Sequence, residues 1–281
     1  MTPKVSILDL QQKKTNQQPI TMLTAYDYPG AVLVDEAGID LTLVGDSLAM
    51  TVLGHPNTVS VTMDEMLHHS RAVARGTKRA FLVGDMPFMS YQVSRTEAIH
   101  NAGRFLKEAN MDSVKLEGGR EVEDAVRGIV AAGIPVMGHL GLTPQTATKL
   151  GGFKVQAKTA AAAKHLLEDA LLLQDCGCFA IVLEAVPATV ATYISQKLTI
   201  PTIGIGAGVG CDGQVLVFHD VLGLYDRFTP KFVKQYTNLR EATLTAFRSY
   251  RDEVEQRTFP TEAHSFKITE EEWNQFLTSN K

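Results

Sequence analysis

Leu41-Thr42-Leu43-Val44-Gly45-Asp46 and Ala80-Phe81-Leu82-Val83-Gly84-Asp85 are two apolar runs closed by the same Val-Gly-Asp tripeptide. Three further runs also end in a polar or charged group: Ser113-Val114-Lys115-Leu116-Glu117, Ile134-Pro135-Val136-Met137-Gly138-His139 and Phe179-Ala180-Ile181-Val182-Leu183-Glu184. Continuous aliphatic and β-branched runs of about 4–6 residues, without polar alternation, are the mark of buried parallel strands. One polar group at the end of such a strand says little. Carboxylates, a lysine and a histidine on five successive strands point to a single rim where the chemistry of a barrel sits.

Outward from these runs the pattern completes itself. Ile20-Thr21-Met22-Leu23-Thr24-Ala25 precedes them, Ile200-Pro201-Thr202-Ile203-Gly204-Ile205 follows, and Gln214-Val215-Leu216-Val217-Phe218 closes the series at eight strands. Helical signals lie between. Thr62-Met63-Asp64-Glu65 reads as a capping box opening a helix over Met66–Arg75, with Gly76 as its stop. Ser94 can cap Thr96–Ala109, Glu121–Ala132 is amphipathic before Gly133, and Thr159–Asp175 is Ala/Leu-rich before Gly177. Pro187 suits the first turn of a helix over Ala188–Gln196. Strands alternating with helices give a parallel sheet, and eight repeats favour an α/β protein of the (β/α)8 TIM-barrel class. An open doubly wound sheet would gather its functional residues at one switch point instead.

The 281 residues fit one domain, with the barrel core at about 20–257 and a tail at 258–281. Residues 1–19 are polar, with a possible short helix capping the barrel floor. After the last strand the pattern suggests a long helix over Pro230–Arg257, and Thr269-Glu270-Glu271-Glu272 is a second capping box before Trp273 and Phe276. That short amphipathic helix is expected to dock on the barrel or on a neighbouring subunit.

The 44% apolar fraction supports a sizeable core, and 27 basic against 31 acidic residues give a net charge of −4. No basic patch suggests nucleic-acid binding. No apolar stretch approaches the roughly 20 residues of a membrane helix, and the N-terminus lacks the apolar core of a secretory signal. Cys176, Cys178 and Cys211 form an odd set without zinc-finger spacing, consistent with reduced thiols in a cytoplasmic protein.

Asp46 and Asp85, at the ends of adjacent strands, can reach one small cation, and hard carboxylate oxygens suit Mg²⁺. Glu117 on the next strand is the natural third member, directly or through water. Lys115 lies two residues earlier on the same strand and so shares its face. A lumenal charge is costly unless paired or useful, and here it could hold a substrate carboxylate or a developing enolate oxygen. His139 could donate to a substrate oxygen, bind metal or act as an acid. Glu184 has apolar neighbours on both sides, which should make its carboxylate more basic, as a general base requires. Gly204-Ile205-Gly206-Ala207-Gly208 reads as a tight turn allowing close approach of ligand or backbone rather than a phosphate cradle. His68-His69 reads as solvated surface.

Taken as an ordered set, these segments resemble the ketopantoate (3-methyl-2-oxobutanoate) hydroxymethyltransferase family of pantothenate synthesis. The likeness spans Thr21 to about Phe266. It is carried by Thr24-Ala25-Tyr26-Asp27, Val44-Gly45-Asp46-Ser47-Leu48, Gly54-His55, Asp85-Met86-Pro87-Phe88-Met89-Ser90-Tyr91 and Val114-Lys115-Leu116-Glu117-Gly118-Gly119. It continues through Gly138-His139-Leu140-Gly141-Leu142-Thr143-Pro144-Gln145, Leu183-Glu184-Ala185-Val186-Pro187, the glycine turn and Asp212-Gly213-Gln214. The resemblance implies a (β/α)8 barrel, Mg²⁺, 5,10-methylenetetrahydrofolate as one-carbon donor, and a homodecamer built from pentamers. By position it implies Asp46 and Asp85 as metal ligands with Glu117 as a further one. It implies Asp46, Ser47, Asp85, Lys115 and His139 around the keto acid, and Glu184 as proton acceptor. Ala49, Leu53 and Ala185 depart from the family's usual Gly, Gln and Cys. Two other readings share parts of this pattern: an Mg²⁺-dependent C–C lyase or phosphonomutase, for which Cys211 would be a poor reactive thiol, and a non-catalytic keto-acid-binding barrel.

Overall fold

The computed structural model describes residues 3–148, 152, 154–225, 227 and 229–280. Eight parallel strands close in sequence order into one barrel: β1 Ile20–Thr24, β2 Leu41–Val44, β3 Phe81–Asp85, β4 Ser113–Glu117, β5 Val136–Gly141, β6 Ala180–Glu184, β7 Thr202–Ile205 and β8 Gly213–Leu216. Every expected strand is present within a few residues. The last ends early because the Phe218 N–H donates to Thr24 Oγ1 at 2.9 Å, which turns the chain away from the sheet.

The helices are α1 Ile7–Thr15, α2 Tyr28–Glu36, α3 Leu48–Thr51, α4 Met63–Gly76, α5 Arg95–Ala109, α6 Glu123–Ala131, α7 Ala160–Asp175, α8 Ala188–Lys197, α9 Phe218–Val221, α10 Leu239–Glu255 and α11 Glu270–Ser279. The cap signals hold: Thr62 and Glu65 form a reciprocal capping box on α4, and Ser94 and Thr159 cap α5 and α7. Gly84, inside the first Val-Gly-Asp motif's partner strand, has a packing reason. A Cβ there would lie 2.4 Å from the Phe105 ring, so glycine lets α5 seat directly on β3.

No helix separates β7 from β8, and the single turn of α9 directly follows β8. One expectation needs correction. The long C-terminal helix begins at Leu239, not Pro230. Asn238 caps it by accepting from the Glu241 N–H, while bonds from Tyr236 N to Val221 O and Leu239 N to Leu222 O keep the preceding chain folded onto α9. The tail helix α11 has Thr269 at its cap but buries no residue, so it does not dock on its own barrel. Among the described residues no helix is long and apolar enough to cross a membrane.

Strand periodicity of two sorts the side chains into lumen and shell. The lower lumen is filled by Ile20, Met22, Leu41, Leu43, Phe81, Val83, Met137, Phe179, Val182, Ile203 and Val215, with Leu10 of α1 inserted among them. Burying Leu10 alone contributes about 1.5–3 kcal/mol. Helix α1 therefore plugs the barrel floor, as the polar N-terminal segment suggested, and two carboxylates fix it there. Asp40, just before β2, takes Lys13 Nζ at 2.6 Å, Thr21 N and Oγ1 at 2.9 Å each, and Arg79 at 3.2 Å. Asp212, just before β8, takes Lys14 Nζ at 2.7 Å and the Thr202 N and Oγ1 at 2.8 and 2.9 Å. Each carboxylate thus ties α1 to a strand adjacent to its own.

Burial alone would raise the Asp40 carboxyl, but its bonds to Lys13 and Thr21 outweigh that and hold it below the ordinary carboxylate range. A lowered folded-state value contributes stability that is present above about pH 4 and is lost as pH falls through the folded value. Asp40→Asn is expected to cost about 2–4 kcal/mol at pH 7, because it leaves Lys13 and Arg79 without their buried partner. The difference from wild type should shrink when urea unfolding is repeated near pH 3. An equal difference at both pH values would show that the charge of Asp40 is not what holds the floor.

Candidate active site

Above the apolar plug the lumen changes character. Asp85, Lys115, Glu117 and His139 are all buried, and they lie on β3, β4 and β5 in registers that pair Asp85 with Lys115 and Glu117 with His139. Glu184 ends β6 opposite Gly141. Asp46 follows β2, and its backbone N–H donates to Asp85 Oδ2 at 3.0 Å. Parity along each strand places these side chains in the layer directly above Val83, Met137 and Val182. The structure therefore brings Asp46, Asp85, Lys115, Glu117, His139 and Glu184 to one rim.

Lys115 is the hub. Its Nζ stands 2.7 Å from Asp85 Oδ1 and 3.2 Å from His139 Nδ1. An ammonium can only donate, so Nδ1 accepts. His139 Nε2 then carries the ring proton and donates to Leu142 O at 2.9 Å, with Glu184 Oε2 nearby at 3.3 Å. Burial pulls the Lys115 ammonium toward losing its proton, but Asp85, Glu117 and Asp46 outweigh this and raise its pKa above the ordinary value. Asp46 is pushed up to about 7 by burial and then by the neighbouring Asp85 charge, against the pull of Lys115. Glu117 is raised well above its usual value, chiefly by burial. One cation does not balance this much buried negative charge.

The carboxylates share a pattern of hydrogen bonding. Asp46 Oδ2 accepts from Gln145 Nε2 at 3.0 Å, Asp85 Oδ2 from the Asp46 amide, and Glu117 Oε2 from the Gln145 amide at 3.0 Å. The second oxygens of Asp85 and Glu117 are buried without an aligned donor, although Lys115 lies close to the former. Buried acceptors left open in this way call for a ligand. Among the described residues no group of three His, Cys, Asp or Glu side chains is placed to hold a metal ion by itself. Mg²⁺ does not require one, since it keeps waters and takes one or two carboxylates together with substrate oxygens. The donor set is hard oxygen, buried and over-negative, and it fits such a cation.

Ser47 completes the rim at β2. Its Oγ lies 2.8 Å from the Tyr26 hydroxyl, and the Tyr26 ring stacks on His219 with centroids 5.4 Å apart. Of the pair expected at the surface, only His68 is exposed, whereas His69 Nδ1 contacts Tyr26 O at 2.6 Å because its face of α4 turns toward the loop after β1. Tyr91, Gln145 and Tyr26 lie inside the quoted segments, yet nothing in their spacing marked them as site residues. The glycine turn is a tight one: Gly206 and Gly208 have φ of +64° and +81°, and a Cβ on Gly208 would lie 2.4 Å from that of Ala188. Ala185 turns the chain directly after Glu184 with φ of +48°, a conformation uncommon outside glycine. Cys211 precedes β8, beside Gly204, at the end of the barrel opposite the rim, and burial raises its thiol.

The chain has relatives of known name. A protein from Syntrophobacter fumaroxidans called 3-methyl-2-oxobutanoate hydroxymethyltransferase is 58% identical over 270 residues, covering 96% of this chain and 95% of its own. Proteins of the same name from Moorella thermoacetica and Enterococcus faecalis are 58% and 53% identical, covering 94% and 95% of this chain and 98% of their own lengths. Among solved structures, a phosphoenolpyruvate phosphomutase from Streptomyces platensis subsp. rosaceus aligns with a TM-score of 0.61 at 14% identity, covering 98% of both chains. A phosphonopyruvate hydrolase in complex with oxalate and Mg²⁺ gives 0.59 at 11%, covering 98% of this chain and 97% of its own. These two likenesses establish the barrel and nothing about chemistry. The family model described as ketopantoate hydroxymethyltransferase matches residues 4–262, and the chain belongs to that family.

Proposed function

We propose that the chain transfers a hydroxymethyl group from 5,10-methylenetetrahydrofolate to 3-methyl-2-oxobutanoate, giving ketopantoate. The observation that carries this reading is the Lys115 ammonium buried among carboxylates, with Glu117 Oε1 buried without a donor, in a chain 58% identical to a protein called 3-methyl-2-oxobutanoate hydroxymethyltransferase. Asp46 and Asp85 would hold Mg²⁺, with Glu117 as a further ligand or through water. When bound, the cation supplies positive charge that polarises the 2-oxo group and acidifies the C3–H bond.

The chain's own residues do the rest. Ser47 and Lys115 bind the keto acid, Lys115 placing its charge where enolate charge develops. His139, with its proton on Nε2 and Nδ1 facing Lys115, keeps that ammonium in place and is a further contact for the substrate. Glu184, directly or through a water it positions, takes the C3 proton. Water adds to the donor methylene and both of its bonds to nitrogen break, releasing tetrahydrofolate and a formaldehyde unit; the C3 carbanion bonds to that carbon, and the resulting alkoxide takes back a proton to give ketopantoate. The lyase reading gains no support from Cys211, which lies at the wrong end of the barrel. Homo-oligomeric assembly, a decamer by resemblance, is in keeping with Phe247, Tyr250, Trp273 and Phe276 of α10 and α11, all left exposed.

The C3 proton of 3-methyl-2-oxobutanoate followed by NMR in D₂O tests the reading directly. Its signal should disappear only with protein and Mg²⁺, and ketopantoate should form when methylenetetrahydrofolate is added. Persistence of the signal with folded, Mg²⁺-supplied protein would count against the reading. Glu184→Gln is expected to abolish exchange while leaving Mg²⁺ and keto-acid binding nearly intact; lost binding would place Glu184 in the wrong role. Lys115→Met should lower kcat by about 10²–10³-fold, the usual cost of losing one preorganised charge donor. A variant turning over at the wild-type rate would remove Lys115 from the chemistry.

A further inference from the structure

Gln145 stands where four segments of the rim meet, in the short 3-10 turn Pro144–Thr146 after β5, and is buried. Its backbone N–H donates to Glu117 Oε2 at 3.0 Å, and its Nε2 donates to Asp46 Oδ2 at 3.0 Å and to Met86 O at 2.9 Å. Its Oε1 accepts from the Tyr91 hydroxyl at 2.6 Å. That hydroxyl also accepts from the Glu117 N–H at 3.2 Å and lies 3.2 Å from Glu117 O, but its single proton goes to the shorter contact with Oε1. Turning the amide would set Oε1 against both a carboxylate and a carbonyl oxygen, and would exchange the close acceptor of Tyr91 for the more distant Glu117 O.

We propose that Gln145, oriented by Tyr91, is the positioning residue of the cation site. It pins one oxygen of Asp46 with its side chain and one of Glu117 with its backbone, leaving the second Glu117 oxygen buried without a protein hydrogen-bond donor. No other described residue bonds two of the three proposed cation carboxylates through its own donors. The network also spans Met86 after β3 and Glu117 on β4, so it fixes the spacing of ligands that belong to different strands. Outer partners of this kind commonly set ligand orientation and change metal affinity by about 10–100-fold when lost. The inference rests on the Mg²⁺ reading given above.

Isothermal titration of Mg²⁺ into the full-length protein, supported by electron paramagnetic resonance of bound Mn²⁺, separates positioning from mere structural support. Gln145→Met keeps the bulk and the backbone donor but loses the amide, and should weaken Mg²⁺ binding by about 10–100-fold. Tyr91→Phe frees the amide to turn and should weaken binding in the same direction, by about 3–10-fold. Each should broaden the Mn²⁺ signal, while kcat at saturating Mg²⁺ falls less than the metal affinity does. Wild-type affinity in folded Gln145→Met, or in Tyr91→Phe should the former not fold, would overturn the proposal even if thermal stability dropped. A wild-type protein that binds neither Mg²⁺ nor Mn²⁺ would overturn the metal reading and this inference together.

Discussion

A lysine ammonium buried in the lumen of a barrel is the constraint on which the rest of this molecule depends. Taking one such charge out of water costs several kcal/mol, and it persists only where opposite charge and hydrogen bonds surround it. Asp85 at 2.7 Å meets part of that need, and Asp46 and Glu117 add to it. Those carboxylates then over-compensate, so the burden passes from the lysine to the acids. The site is stable as a set of charges and unstable as any one of them. Replacing a single member exposes the desolvation cost of the others, which is why the set reads as machinery rather than filling.

Such a set also requires the lumen beneath it to be dry and rigid. The layer from Ile20 to Val215 supplies this, closed from below by Leu10 of α1. Lys13 and Lys14 keep their charges at the floor, where Asp40 and Asp212 receive them at 2.6 and 2.7 Å. The same barrel thus carries two ionic layers separated by an apolar one. In the lower layer each carboxylate is bonded to both strand and helix donors. In the upper layer Glu117 Oε1 is buried without a donor.

Much of this was legible before any coordinates. Parallel strands buried on both faces show no alternation, so Leu41–Asp46 and Ala80–Asp85 could be read as strands, and the two-residue spacing of Lys115 and Glu117 put both on one face. What stayed hidden involves partners distant in sequence or choices between competing caps. Gln145 meets Asp46 across 99 residues and Tyr91 across 54, and no local pattern encodes such contacts. His69 differs from His68 only by one helical position, which turns one toward β1 and leaves the other in solvent. Bonds from Tyr236 and Leu239 back to Val221 and Leu222, with the Asn238 cap, delay the C-terminal helix past the expected Pro230.

The hydrogen bonds at the rim are in keeping with the proposed division of labour among its carboxylates. Asp46, Asp85 and Glu117 each have one oxygen held by an amide donor, and Asp85 is paired with Lys115 as well. A carboxylate with one oxygen held by a fixed donor is a poorer moving base, because reorienting to take a proton would break the bond that places it. Glu184 differs. Its carboxylate has only His139 as a side-chain partner among the described residues, and at 14% exposure it is the most open of the four. It sits at the end of β6, directly before Ala185, whose φ is +48°. The His139 proton lies on Nε2, the nitrogen that faces Glu184, because Lys115 occupies Nδ1. That arrangement lets the imidazole steady Glu184 as a carboxylate without neutralising it. The fixed acids suit a cation, and the loosely held one suits a proton.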